Sequence, residues 1–299
     1  MPRITIKQIE AFAAVADTGT FRRAAERLST SQPNISARIG QLEAQLGRRL
    51  MQRDAGSVRL TPAGETLLDR ARTVLRALDA LTAAAGDDRL FDGVLRLGVT
   101  EMIVHGFLGP YLAALRARFP NVEIDLRVDF AADLAAALHD RGLDLALMSG
   151  PFDRQISGRV PLGDFPFAWV AAPALGLGGQ RLDRADLARQ PVLTHAARTL
   201  PHAQIAEHLA GPGPRVRLVA SSNMAACLQM TGTGLGVACL PDAMIAGSVA
   251  EGALERLDYS WTPDPLRFEA RYDAATAPHH VARAAQMAGR VAASDDHEI

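Results

Sequence analysis

Residues 20–53 read TFRRAAERLSTSQPNISARIGQLEAQLGRRLMQR. Two short helical patterns meet there at a break rich in Ser and Thr. Ala24, Ala25 and Leu28 give the first its buried side. Ile35, Ile39, Leu42 and Leu46 give the second an apolar stripe at spacings of four, three and four, the mark of an amphipathic helix. Ser29-Thr30-Ser31 between them supplies a turn and an N-cap. The paired alanines allow the close backbone approach that two steeply crossing helices need. The sum is a helix-turn-helix pattern, whose second helix is the one that enters a DNA major groove.

Charge distribution agrees. Residues 1–60 hold ten Arg or Lys against five acids, a net +5 in a chain whose total is −1. The remaining residues therefore carry −6. A basic head on an acidic body suits a head that meets phosphates, although a solvated Arg-rich surface has the same composition. Only two cysteines occur, Cys227 and Cys239, which excludes a disulfide scaffold and a zinc spacing. There is no apolar leader at the N-terminus and no run of ~18 apolar residues, so a soluble cytoplasmic protein with no membrane partner is expected.

The flanks extend the head. Residues 5–16 form a first helix, with Ile6, Ile9, Phe12, Ala13 and Ala16 on one face. Residues 53–61 make two short extended pieces about a turn at Gly56, the right size for a β wing. Thr61-Pro62-Ala63-Gly64-Glu65 then opens a long helix to about Ala85, with Thr61 as cap and Pro62 in the first turn. Leu67, Ala71, Val74, Leu78 and Leu81 form a heptad-like seam along it, which marks a dimerising linker or an amphipathic helix packed on its own domain. The polar stretch Gly86-Asp87-Asp88-Arg89 is its stop.

From residue 94 strands alternate with helices, which implies a parallel sheet with right-handed crossovers. The chain after Val160 starts a second sheet, and the strand at Leu266–Tyr272 returns to the first. The expected fold class is α/β: an N-terminal winged helix-turn-helix, a long linker helix, and a C-terminal two-lobed region. The boundaries fall at residues 1–61, 62–91 and 92–299, with lobe I about 92–164 and 266–299 and lobe II about 165–265. A cleft where lobes and strand ends meet is the usual place for a ligand.

The chain resembles a LysR-type transcriptional regulator over essentially its full length. The residues that carry the resemblance are Phe12, Val15, Phe21, Ala24-Ala25, Leu28, Ser31-Gln32-Pro33, Ser36, Ile39, Leu42-Glu43, Leu46-Gly47, Leu50, Arg53 and Leu60-Thr61-Pro62-Ala63-Gly64. Looser anchors follow at Leu95-Arg96-Leu97-Gly98, Phe119-Pro120, Leu143-Asp144-Leu145-Ala146, Gly234-Leu235-Gly236 and Leu240-Pro241. The resemblance implies a periplasmic-binding-protein-like effector domain. It also implies a homo-oligomer, dimer or tetramer, whose heads read an interrupted inverted repeat in double-stranded DNA. A small-molecule effector, by default a small organic acid, would alter DNA bending and contact with RNA polymerase. Catalytic residues and cofactors are not expected.

Gln32 and Ser36 match base-contacting positions of that family. Gln offers a donor and an acceptor to an adenine edge, and Pro33 an apolar edge to a thymine methyl. Ser31 and Pro33 equally suit a mere helix start. Asn34 adds a backbone or base contact. Many relatives carry Arg directly after the matching Ser. Here that residue is Ala37, and Arg38, about 100° further round the helix, is placed to touch phosphate instead. Arg22, Arg53 and Thr61 are the phosphate candidates.

Ligand candidates are Thr100, Glu101 and Met102 at the start of one helix, Phe130, Ser149 and Gly150 at strand and helix ends of lobe I, and Thr194, His195, Ser222 and Asn223 in lobe II. Such helix starts bind anions. Glu101 departs from a simple anion site. Either it turns away as a first-turn acid, or it holds the amine of a zwitterionic or cationic ligand. The Ser221-Ser222-Asn223 triplet suits capping as well as binding. Glu101 and His105 lie four apart, but with only a distant His195 they make a weak metal set, and none is expected. Cys227 is an oxidant sensor or, more plainly, a buried thiol.

Three other classes compete. An enzyme finds no GxSxG, HExxH or phosphate loop in this chain. A transport solute-binding protein leaves the basic head unexplained. A constitutive DNA-binding protein without effector would share the head.

Overall fold

The computed structural model describes residues 4–54, 57–84, 93–152 and 156–295. Three helices make the head: α1 (Ile6–Thr18), α2 (Phe21–Arg27) and α3 (Gln32–Leu46). A wing of β1 (Met51–Asp54) and β2 (Ser57–Leu60), paired antiparallel, follows, and then α4 (Pro62–Ala84). The expected turn at Gly56 and the stop at Gly86–Arg89 lie outside the described residues.

Each head helix is started by its own sequence. Thr5 and Gln8 form a reciprocal capping box on α1, Thr20 caps α2 and Ser31 caps α3. Gly19 and Gly47 close α1 and α3 in the left-handed conformation. Phe12, Val15, Ala24, Ala25, Ile35, Ile39 and Leu42 fill the head core, with Leu68 and Ala71 of α4 beside them. Burying such a set removes about 1.5–3 kcal/mol of unfavourable hydration for each large side chain. Glu43 anchors the wing: its carboxylate accepts the Leu50 and Met51 N–H groups at 2.7 and 3.1 Å. Gly64 is required by contact, since a Cβ there would stand on the Leu50 carbonyl.

The heptad seam of α4 divides. Ala71 is buried against the head, whereas Val74 and Leu81 are 44% and 68% exposed.

The rest of the chain runs β3 (Gly93–Val99), α5 (Glu101–His105), α6 (Leu108–Arg118), β4 (Val122–Val128), α7 (Ala131–His139), β5 (Leu145–Ser149), β6 (Gly158–Phe165), β7 (Phe167–Ala171), β8 (Arg181–Leu182), α8 (Arg184–Ala188), β9 (Pro191–Thr194), α9 (Leu200–Leu209), β10 (Arg217–Ala220), α10 (Met224–Gly232), β11 (Val237–Pro241), α11 (Asp242–Ala250), β12 (Glu255–Arg256), β13 (Asp258–Tyr259), β14 (Leu266–Tyr272) and α12 (His279–Asp295). One five-stranded sheet has the order β4-β3-β5-β14-β6 and the other β10-β9-β11-β7-β12. The late strand β14 does return to the first sheet. The expectation of parallel sheets needs correction. β9 pairs parallel with β10 and β11, but β7 runs antiparallel to β11 and β12.

Two compact units emerge: residues 1–99, 110–161 and 270–299 in the first, and 100–109 and 162–269 in the second. The short helix α5 therefore belongs to the second unit. No helix among the described residues is long and apolar enough to cross a membrane.

Candidate nucleic-acid interface and ligand site

The turn before α3 holds Ser29 at a φ of 47°, which swings the chain into Ser31. Ser31 Oγ accepts the Asn34 N–H at 3.4 Å, and Asn34 Nδ2 donates to Thr30 Oγ1 at 3.3 Å. Ser31, Gln32, Pro33 and Asn34 are all exposed, directly above the fully buried Ile35. Ser36 and Arg38 are half-buried and Ala37 is exposed. The first turn of α3 thus presents polar side chains outward on a helix whose inner face is locked in the core. Ser31 is a cap by geometry, and Gln32 is an exposed amide side chain in the first turn of α3.

The phosphate candidates fare differently. Arg22 is exposed and lies 3.8 Å from Glu26 one turn on. Arg53 stands in β1, but its side chain lies outside the described residues. Thr61 caps α4 as expected: its oxygen accepts the Gly64 N–H at 3.0 Å, while its hydroxyl proton goes to the Arg49 carbonyl at 2.8 Å.

A buried ion cluster escaped sequence reading. Asp17, with only 9% of its side chain exposed, accepts Arg72 at 2.6 Å, sits 3.6 Å from Arg27, and is also bonded by Arg141. The four residues span 124 positions, and no local pattern joins them.

The second unit gathers Thr100, Glu101, Met102, Thr194, His195, Ser222 and Asn223, while Phe130, Ser149 and Gly150 belong to the first. Asn223 caps α10, its Oδ1 accepting the Ala226 N–H at 2.7 Å, so the capping reading of the Ser221-Ser222-Asn223 triplet holds for Asn223. Ser221 supports it by accepting the Asn223 N–H at 3.1 Å, and Ser222 is exposed. Met102 is a core residue.

Glu101 is a first-turn acid of α5 whose side chain turns to another helix. Its carboxylate lies on the N-terminus of α10, accepting the Met224 N–H at 2.9 and 3.0 Å and the Ala225 N–H at 3.0 Å. His105 stands 3.9 Å away on the same helix face. With Asn223 bonding Ala226 and the Asn223 carbonyl taking the Cys227 N–H, the first N–H groups of α10 are all satisfied from within the chain.

Cys227 is fully buried behind them, and its thiol points to the Thr194 carbonyl at 3.5 Å. Burial pushes its pKa up, a hydrogen bond from Ser221 works the other way, and the Glu101 charge raises it further. Cys239 is also fully buried, and its pKa too is driven up by burial. Burial pushes His195 down to about 4, against a backbone hydrogen bond with Cys239, and nearby His202 adds to the depression. His195 packs edge-on to Phe167. The Oγ1 atoms of Thr100 and Thr194 and Nε2 of His195 are buried without a hydrogen-bond partner. Among the described residues no group of His, Cys, Asp and Glu is arranged to hold a metal.

A 280 Å³ cavity opens elsewhere in the second unit, beside β10 and the end of α9. Its Arg184 guanidinium is spent on the Leu209 and Pro212 carbonyls.

Comparison with known proteins gives two family matches. Residues 6–65 match the bacterial regulatory helix-turn-helix protein of the lysR family, and residues 88–290 match the LysR substrate binding domain. A Mycobacterium avium protein named as a probable hydrogen peroxide-inducible genes activator is 33% identical over 270 residues, 88% of this chain and 86% of that protein. A Mycobacterium xenopi protein of the same name is 38% identical over 178 residues, 59% of this chain and 94% of that one. The solved structure of the Corynebacterium glutamicum OxyR C206 mutant is 28% identical with a TM-score of 0.57, covering 98% of this chain and 96% of the other.

Proposed function

Because the chain belongs to the LysR family of bacterial regulatory helix-turn-helix proteins, we propose that it reads an interrupted inverted repeat through the first turn of α3 and adjusts that binding to a small molecule held by residues 92–299. It is a DNA-binding transcriptional regulator and not an enzyme. The observation that carries the DNA reading is the exposed Gln32-Pro33-Asn34 edge above buried Ile35. Gln32 and Ser36 read bases, and Arg22, Arg38 and Arg53 hold phosphates. The exposed Val74 and Leu81 on α4 support reading that helix as the pairing element of a homo-oligomer. Such a protein acts in the cytoplasm and conveys its ligand state to RNA polymerase.

Glu101 bears on the effector class. A simple organic acid would bring a carboxylate to a helix start that already holds one. An amine-bearing or neutral polar metabolite fits this chain better. The experiment is fluorescence anisotropy of the full-length protein on its own upstream DNA and on scrambled DNA, in a salt series, with pooled metabolites. Specific binding altered by one pool supports the reading. Equal affinity for both DNAs under every pool, here and at other genomic sites, removes it.

The names of the relatives bring a second reading, response to peroxide. The thiols weigh against it, since a sensor cysteine is an accessible thiolate and both cysteines here are fully buried with raised pKa. Peroxide that alters DNA binding of the wild type but not of Cys227→Ser would reinstate it.

A further inference from the structure

The N-terminus of α10 is an anion site whose occupant is built into the chain. We propose that Glu101 is an internal anion that closes this site to carboxylate ligands and so sets the specificity of the effector region. This rests on the reading of that region as a small-molecule sensor.

Three observations converge. The first is the occupancy itself. Two backbone N–H groups of a nine-residue helix make three short contacts to one carboxylate, the geometry in which helices bind anions. The second is local polarity. Thr100, next to Glu101 and nine-tenths buried, opens α5 with no side-chain cap bond, and its Oγ1 is unpartnered. A buried hydroxyl without a partner is costly and leaves this spot polar inside the fold. The third is the saturation of everything else. Ser221, Asn223 and the Asn223 carbonyl satisfy the neighbouring donors, so Glu101 alone stands between the Met224 and Ala225 N–H groups and an outside anion.

The physical consequence is a choice between two carboxylates for one pair of donors. The internal one wins because it costs no translational entropy to bring in. A ligand acid at this point also meets the charge of Glu101, and like charges at contact repel. A ligand with an ammonium or a neutral polar group meets no such opposition. His105 stands 3.9 Å from the carboxylate, one turn along α5.

Chemical rescue of the full-length protein tests this. Glu101→Ala removes the occupant and leaves its donors unmet, lowering the melting temperature by roughly 5 °C. Sodium acetate or formate then restores most of that loss in Glu101→Ala, while sodium chloride at equal ionic strength does not, and the wild type responds to neither. Glu101→Gln keeps an acceptor but not the charge, and is expected to lose less and to be rescued less. Backbone amide exchange supplies the independent readout. Met224 and Ala225 are protected in the wild type, exposed in Glu101→Ala, and protected again with acetate. Acetate that stabilises wild type and variant equally, or rapid exchange of those two amides in the wild type, overturns the proposal. The exchange measurement decides the matter even if neither variant folds. A metabolite response on DNA without rescue would sink this inference and leave the sensor reading standing.

Discussion

Two helix starts in this chain look alike in sequence and end in opposite states. The start of α3 has a Ser cap followed by polar residues, and the start of α10 has an Asn cap preceded by two serines. Both caps do the same work, accepting the N–H three residues on. At α3 the side chains beyond the cap point outward and are exposed. At α10 the free N–H groups are taken by Glu101, 123 positions away in the chain. The difference teaches that a cap signal locates a helix start but does not say whether that start is available. Availability is decided by whatever tertiary neighbour arrives there.

The comparison breaks hardest at the residue beneath the α3 surface. Ile35 is fully buried, and Ile35→Ala should cost about 2–5 kcal/mol of stability, read by urea or thermal melting, with DNA binding lost as the head loosens. A loss below about 1 kcal/mol would mean that the outward turn does not depend on the core beneath it.

Next comes pH, which should separate the two regions. His195 has its pKa lowered to about 4 in the fold against an ordinary 6.5. Between those values the unfolded chain binds more protons, so stability rises with pH in that window. The contribution is complete above about pH 6.5 and is withdrawn as pH falls toward 4, up to about 3 kcal/mol. His208, also lowered by burial, acts in the same sense. His195→Gln should flatten part of the acid limb in melts from pH 7 to 4.5. An unchanged profile would show that His195 does not titrate with unfolding.

Gln32→Ala sharpens the contrast. It should leave stability within about 0.5 kcal/mol but remove roughly 1–3 kcal/mol of discrimination between specific and scrambled DNA. Arg53→Ala should instead weaken both and flatten the salt slope. Equal losses on both DNAs for Gln32→Ala would reassign it to positioning. The smallest effect is expected at the α10 cap: Asn223→Ala should cost about 1 kcal/mol in thermal melts, because Ala226 loses one acceptor while Glu101 still holds the two N–H groups before it. A much larger loss would mean that Asn223 also holds Glu101 in place.

Much of the head was legible because its determinants are local. Capping residues, the alanine pair, the apolar stripe and the Thr-Pro-Ala-Gly opening of α4 act over three to seven positions. The hydroxyl partner of Thr61, the Arg49 carbonyl, was not legible because it lies across the wing. The antiparallel β7 was not legible because its direction is set by pairing with β11 and β12, strands far along the chain. In the ligand region Thr100, Ser149, Thr194 and Asn223 do lie at helix and strand ends. Which of them would be spent internally was not written in their spacing.

By itself, then, the sequence determined the helix-turn-helix, its wing, the long linker helix and the alternation of strands and helices behind it. Those follow from periodicity and from backbone groups that must be satisfied close to where they arise. Tertiary structure alone decided three things. Asp17 meets Arg27, Arg72 and Arg141; Cys227 and Cys239 are sealed away from solvent; and Glu101 reaches the start of α10. Each is a long-range choice of partner, set by which surfaces pack, and the same residues at the same spacing would allow other partners in another fold.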